Sequence, residues 1–229
     1  MRMRKKKHLE ERLSEVSDIL FISDFEDRNF NTAIKTPEYI DFDAWFGRKA
    51  PLILEIGCGK GGFAAEYAQR YPNINFIAVE KDANVIVSAC ETAKERECRN
   101  LRFIKCGAEY LPKYIRPSSI ELIFLNFSCP FPKNKYASHR LTHKNFLKIY
   151  KTLMKPSAEI HQKTDNRGFF EFSLESFSQN GFILKNISLD LHKSGFEDNI
   201  ETEYEHKFAS LGLPIYRLEA YLEDKGTLI

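Results

Sequence analysis

From residue 51 onward the chain alternates short apolar runs with stretches of helical spacing. PLILEIG is an apolar run stopped by glycine and reads as a buried strand. GGFAAEYAQRYP follows with helical spacing through Phe63, Tyr67 and Ala68 and is closed by Pro72. INFIAVE predicts a second strand, and DANVIVSACETAKERE a second helix with Asp82 placed to cap its start. LRFIKC and IELIFLN are a third and a fourth strand. A helix over about Thr142–Met154, a fifth strand at AEIHQK and a helix over Arg167–Gln179 come next, with Gly181 in the position a C-terminal cap prefers. FILKNISLDL is a sixth strand, TEYEHKFASLG a last helix and IYRLEAYL a terminal strand.

This alternation predicts an α/β fold built on a doubly wound, mostly parallel sheet with helices on both faces. The closing order of strand, helix, strand suits a final antiparallel insertion. Residues 1–50 show mixed polarity, no clear strand and one short helix over His8–Ile19. They are expected to be a basic segment packing on or flanking a core domain at residues 51–229.

Composition narrows the class. The 229 residues, 43% hydrophobic, suffice for one substantial core. No apolar run reaches the roughly 18 residues of a membrane span, and the charged MRMRKKKHLEERL lacks the apolar stretch of a secretory signal, so a cytoplasmic protein is expected. The five cysteines, Cys58, Cys90, Cys98, Cys106 and Cys129, are odd in number and include no CxxC pair. Free thiols are expected, with neither a disulfide framework nor a metal site.

The net charge of +2 conceals two basic clusters. Residues 133–155 hold Lys133, Lys135, Arg140, Lys144, Lys148, Lys151 and Lys155 and no acid, and Arg2, Arg4, Lys5, Lys6 and Lys7 open the chain. Such runs are either solvated faces or the footprint of a polyanion.

LEIGCGKGG places Gly57, Gly59 and Gly62 in a GxGxxG frame between the first strand and first helix, where glycine permits a tight turn and close approach of a nucleotide-like ligand. Lys60 has no Ser or Thr after it, so the phosphate-binding GxxxxGK[ST] loop is excluded. Glu80 ends the second strand, where an acid accepts from ribose hydroxyls. Glu55 lies two residues before the first glycine. A carboxylate there repels a pyrophosphate but attracts the ammonium and sulfonium of S-adenosylmethionine, which makes that the expected cofactor. The second substrate is then expected beyond the carboxyl ends of the central strands, where NFSCPFPK, Asn126 to Lys133, follows the fourth strand.

With LEIGCGKG, NFSCPFPK, HRLT, KTDNRGFFEFSL and TEYEHKF followed by GLPIYR all in order, the chain closely resembles the bacterial tRNA (guanine-N7-)-methyltransferase family over nearly its whole length. The resemblance implies a seven-stranded, Rossmann-like class I methyltransferase fold with one antiparallel strand. It implies transfer of a methyl group from S-adenosylmethionine to N7 of a tRNA guanosine at variable-loop position 46. Carried across by position, Glu55, Glu80, Gly107 and Cys129 join Gly57 and Gly59 on the cofactor side. Lys133, Asp165, Thr202, Glu203, Tyr204 and Glu205 fall on the tRNA side.

Several of these positions have a second reading. Asp165 suits the cap of a helix starting at Asn166, and Thr202 suits a cap with Glu205 completing a capping box. Tyr204 suits core packing or base stacking, and Lys133 a solvated lysine or a phosphate contact. The family's usual Asp is replaced at Gly107 and again at Cys129, where its pattern is SDPWP, so the catalytic position has no assigned residue. Guanine N7 carries a lone pair and no proton, and its methylation needs no general base. Cys129 is accordingly read as a small neutral replacement and not as a nucleophile, with Asp165 and Glu205 expected to hold the guanine edge. The partner implied is tRNA, bound through residues 133–155 and the N-terminal basic residues, by a monomer or homodimer. A catalytically weakened tRNA-binding relative with poor cofactor binding is the alternative, and a nicotinamide dehydrogenase is supported by the glycine frame alone.

Overall fold

The computed structural model describes residues 6–23 and 35–223. The chain divides into two compact units, Met1–Ile115 and Arg116–Ile229. Arg2, Arg4 and Lys5 of the N-terminal basic cluster lie outside the described residues.

The first unit runs α1 (Leu9–Glu15), β1 (Leu20–Ile22), α2 (Phe42–Phe46), β2 (Leu52–Ile56), α3 (Gly62–Arg70), β3 (Asn75–Glu80), α4 (Ala83–Glu95), β4 (Leu101–Lys105) and the short α5 (Leu111–Tyr114). Its strands are parallel in the order β1-β4-β3-β2, with Leu20 opposite Phe103, Ala78 opposite Phe103 and Glu55 opposite Ala78. Every residue of β2 is buried, the pattern of a parallel strand covered on both faces. Asp82 caps α4 as expected, accepting from the Asn84 amide at 2.8 Å. Helix α1 is fastened to α4 by a two-point bond from Arg12 to Glu91, at 2.7 and 2.6 Å, and Lys94 reaches Asp18 at 2.6 Å. Strand β1 corrects the expectation that residues 1–50 hold no strand. Three residues are too few to show alternation, and β1 exists because β4 offers it a free edge.

The second unit runs β5 (Ile120–Asn126), α6 (Lys144–Leu153), β6 (Met154–Thr164), α7 (Arg167–Gln179), β7 (Phe182–Ser188), α8 (Glu203–Ser210) and β8 (Tyr216–Leu222). Here the order is β5-β6-β8-β7; β5 and β6 are parallel, and β8 is antiparallel to both its neighbours. The one antiparallel strand among the described residues is therefore β8, as expected, and these residues hold eight strands and not seven because of β1. Strand β6 begins earlier than AEIHQK. It carries Pro156, which has no amide to donate, and the register with β5 shifts between Ile120 and Leu122 to accommodate it.

One cap and one capping box differ from expectation. Asn166, not Asp165, caps α7, accepting from the Phe169 amide at 2.8 Å. Thr202 does cap α8, accepting from the Glu205 amide at 2.9 Å, but the Glu205 carboxylate does not return to close a capping box. It is drawn inward to Lys163 at 2.5 Å.

Candidate functional site

The glycine turn follows β2 and is tied to the end of β3, the amides of Gly57 and Cys58 donating to the Val79 carbonyl at 2.8 and 3.0 Å. Gly57 and Gly59 have φ of 83° and 57°, and a Cβ on either would meet nothing within 4 Å. Left-handed backbone beside open space is what close approach of a ligand requires. The third constrained glycine is Gly61, with φ 79° at the N-terminus of α3, and not Gly62, which is already helical. A Cβ at Gly61 would lie 2.8 Å from Ala89 Cβ, so glycine there lets α3 pack against α4.

Glu55 is 2% exposed at the end of β2. Glu80, ending β3, accepts from the amides of Lys81 and Asp82 through Oε1 at 2.8 and 3.1 Å, which orients its carboxylate at the strand end. The fields of both acids reach the buried Cys58 thiol, which burial first and then Glu55 and Glu80 push well above its ordinary range. Gly107 follows β4 with an ordinary extended backbone, and the Glu109 carboxylate folds across it, its Oε2 2.5 Å from where a Cβ would stand. Glu55, Gly57, Gly59, Glu80 and Gly107 thus gather at the carboxyl ends of β2, β3 and β4.

Cys129 belongs to the second unit. It is exposed, in a turn that places two bulky residues in left-handed backbone, Phe127 at φ 49° and Phe131 at φ 41°. Each such residue costs about 1–3 kcal/mol, and persists only where surrounding contacts dictate it. Those contacts are specific. The Phe127 amide donates to the Lys163 carbonyl at 2.8 Å. Arg140 donates to the carbonyls of Pro130 and Phe131 at 3.0 and 3.1 Å and lies over the Phe172 ring. Within the turn the Ser128 hydroxyl is buried with no hydrogen-bond partner among the described residues.

Arg140 is 8% exposed and clamps the turn. Elsewhere in the basic segment Lys151 bonds the Asn180 carbonyl and Lys155 pairs with Glu121. Lys133, Lys135, Lys144 and Lys148 are exposed, with no ion pair among the described residues.

Asp165 is half-buried between β6 and α7. Glu203 and Tyr204 are exposed on the first turn of α8, Tyr204 by 56%. The Tyr204 ring stacks with Phe127 and Phe208, the three centroids 6.2–6.4 Å apart, so it is neither core nor isolated. Glu205 is fully buried, and its carboxylate faces Lys163, Asn199 and His192. Sequence reasoning missed the roles of Gly61, Arg140 and Lys163, whose partners lie nine or more residues away in the chain.

Glu159, His161 and Glu219 bring three metal-capable groups within 4.8 Å of one another. Lys185 pairs with Glu159, and Arg217 with Glu219, so two cations already balance the two carboxylates. Burial lowers the His161 pKa, against the hydrogen bond to Glu159 and the nearby Glu219 carboxylate, which raise it.

A parallel sheet with one antiparallel strand and an acid-flanked glycine turn define a class I methyltransferase. A family model described as a putative methyltransferase matches residues 49–218. Solved structures share the fold: the 16S rRNA methyltransferase KamB, 13% identical with a TM-score of 0.55 over 88% of this chain and 95% of that one, and precorrin-6y C5,15-methyltransferase from Geobacter metallireducens GS-15, 12% identical with a TM-score of 0.54 over 85% and 86%. The tRNA (guanine-N(7)-)-methyltransferase of Macrococcus caseolyticus is 44% identical over 220 residues, 96% of this chain and 99% of its own length. That of Bacillus subtilis strain 168 is 43% identical over 198 residues, 86% and 93%. The chain belongs to the tRNA (guanine-N7-)-methyltransferase family.

Proposed function

We propose that the protein transfers the methyl group of S-adenosylmethionine to N7 of guanosine in tRNA, at variable-loop position 46. The observation that carries this reading is the buried Glu55 carboxylate directly ahead of a glycine turn whose Gly57 and Gly59 face open space. That donor set fits the cofactor: a negative group for its cationic amino acid end, glycines for close approach, and Glu80 at the next strand end for ribose hydroxyls. When bound, S-adenosylmethionine supplies an electrophilic methyl group on a sulfonium.

The protein's own task is to bind, orient and exclude water. N7 attacks through its in-plane lone pair and releases no proton, so proximity and alignment carry the acceleration. The exposed Cys129 is compatible with that chemistry because no base is required at its position. The four exposed lysines of residues 133–148 suit tRNA phosphates, and Tyr204, stacked on Phe127 and Phe208, offers a flat face to an unstacked base. Half-buried Asp165 and exposed Glu203 are the acids assigned to the guanine edge. None of the described helices is long and apolar enough to cross a membrane, which accords with work on tRNA in the cytoplasm.

Calorimetric titration with S-adenosylmethionine tests the reading at its base. Saturable binding is expected, weakened at least about tenfold in Glu55→Gln, the scale of one charged contact. Absence of binding by the wild-type protein would favour a binding-only relative.

A further inference from the structure

Lys163 stands two residues before Asp165, is nearly buried, and touches three separate segments. Its ammonium donates to Glu205 Oε2 at 2.5 Å, to the Ile200 carbonyl at 2.7 Å and to Asn199 Oδ1 at 3.1 Å. Its own carbonyl accepts from the Phe127 amide at 2.8 Å, where the chain leaves β5 for the proline turn. Glu205 returns the grip: Oε1 accepts from Asn199 Nδ2 at 2.6 Å and faces His192 Nε2 at 3.2 Å. One lysine and one carboxylate thereby join the proline turn, the Asp165 segment, the loop ahead of α8 and the first turn of α8.

An ion pair of 8% and 0% side-chain exposure is a costly way to join segments. Desolvation offsets much of its attraction, and an apolar pair of similar volume often supports a fold equally well. What apolar contact does not provide is direction. Hydrogen bonds from an ammonium and to a carboxylate fix orientation, and the parts fixed here carry Asp165 and Tyr204 and set Phe127 against Tyr204 at 22° between ring planes.

We propose that Lys163 is a positioning residue for the guanosine substrate: through its buried pair with Glu205 it sets the aromatic face of Phe127 and Tyr204 and the adjacent Asp165 in register. The proposal rests on the reading that this chain methylates guanosine in tRNA. It assigns Glu205 an indirect role, and it predicts that loss of the pair harms tRNA kinetics while cofactor binding persists.

The test uses the full chain and three variants, Lys163→Met, Lys163→Arg and the double variant Lys163→Met/Glu205→Leu, each measured for kcat and KM with tRNA, for S-adenosylmethionine binding by calorimetry, and for thermal midpoint. Lys163→Met leaves the Glu205 carboxylate buried without its cation and is expected to lower the midpoint. The double variant removes both charges and is expected to regain most of it. Both are expected to lose about 100-fold in kcat/KM for tRNA, the scale of a displacement near 1 Å at the reacting group, with cofactor affinity within about twofold of wild type. Lys163→Arg, which keeps the pair, is expected to retain kcat/KM within about tenfold. A stable double variant with wild-type tRNA kinetics would overturn the proposal, as would equal losses in cofactor and tRNA terms. Failure of the wild-type protein to bind cofactor or to methylate tRNA would instead overturn the underlying reading.

Discussion

Gly61→Ala is the most informative single change in the glycine turn, because two separable penalties meet there. The residue has φ 79°, and a side chain in left-handed backbone costs about 1–2 kcal/mol. The added Cβ would also lie 2.8 Å from Ala89 Cβ and 3.0 Å from Ala89 Cα, an overlap between α3 and α4 of the kind that costs about 1–3 kcal/mol. The sum, about 2–5 kcal/mol, is a large share of a typical stability of about 5–15 kcal/mol. For a chain of this length it corresponds to a thermal midpoint about 4–20 °C lower. Gly57→Ala is the control: its φ is 83° but the space beyond is open, so only the backbone penalty applies. Ala89→Gly separates the two effects. Combined with Gly61→Ala it removes the 2.8 Å contact with Cβ and leaves the 3.0 Å contact with Cα and the strain, so the pair is expected to couple favourably by about 0.5–2 kcal/mol. Combined with Gly57→Ala it is expected to be additive. Urea unfolding of the singles and doubles measures this directly. A Gly61→Ala loss no larger than that of Gly57→Ala, or no coupling with Ala89, would refute the reasoning.

Three further outcomes follow from the same structure. Under native conditions one thiol, the exposed Cys129, should react rapidly with a thiol reagent, while Cys58, Cys90, Cys98 and Cys106, all buried and all with pKa values raised by burial, should react only on unfolding. Rapid labelling that survives Cys129→Ser would contradict the burial described. The slope of log tRNA affinity against log salt should fall by about 0.7–1 for each of Lys133, Lys135, Lys144 and Lys148 changed to Ala. Arg140→Met should leave that slope unchanged and lower kcat/KM instead, because it frees the Pro130 and Phe131 carbonyls; an equal change in slope would return Arg140 to the phosphate contacts. His143 caps α6 through Nδ1, accepting from the Asn145 amide at 3.3 Å, and burial, then Lys144 and Arg140, lower its pKa. The unfolded chain therefore binds this proton more readily, so stability from this group holds above the ordinary histidine range and is lost as pH falls through it. His143→Ser, a cap that does not titrate, should flatten the urea midpoint between about pH 7 and 5.

The strands and long helices were legible because their burial follows directly from local periodicity. PLILEI, INFIAVE and IELIFLN are apolar on both faces since both are covered, and Asp82 and Thr202 cap helices through bonds to residues two and three positions away. Illegible features depend on distant partners. Strand β1 exists through Phe103 and Ile104, 83 positions along in register. The choice of Asn166 over Asp165 as cap is a choice between adjacent residues of equal propensity, and only the backbone geometry decides it. Glu205 shows the same limit: its place three residues after Thr202 suits a capping box, but a buried lysine 42 residues earlier attracts the carboxylate more strongly than a neighbouring amide. At the ends of β2 and β3, Glu55 and Glu80 were legible as candidates because charge in an apolar run is conspicuous. Arg140 was not, because among six lysines a buried arginine looks like one more surface cation.

Whether the site methylates guanine N7 is decided by incubating the protein with unmodified tRNA and S-adenosylmethionine labelled in its methyl group, then digesting the RNA to nucleosides. The account predicts label in 7-methylguanosine, from the variable loop at position 46, and its reduction by at least about tenfold in Glu55→Gln at a cofactor concentration below saturation. Label in any other nucleoside, or none in RNA from a protein that binds the cofactor, would contradict it.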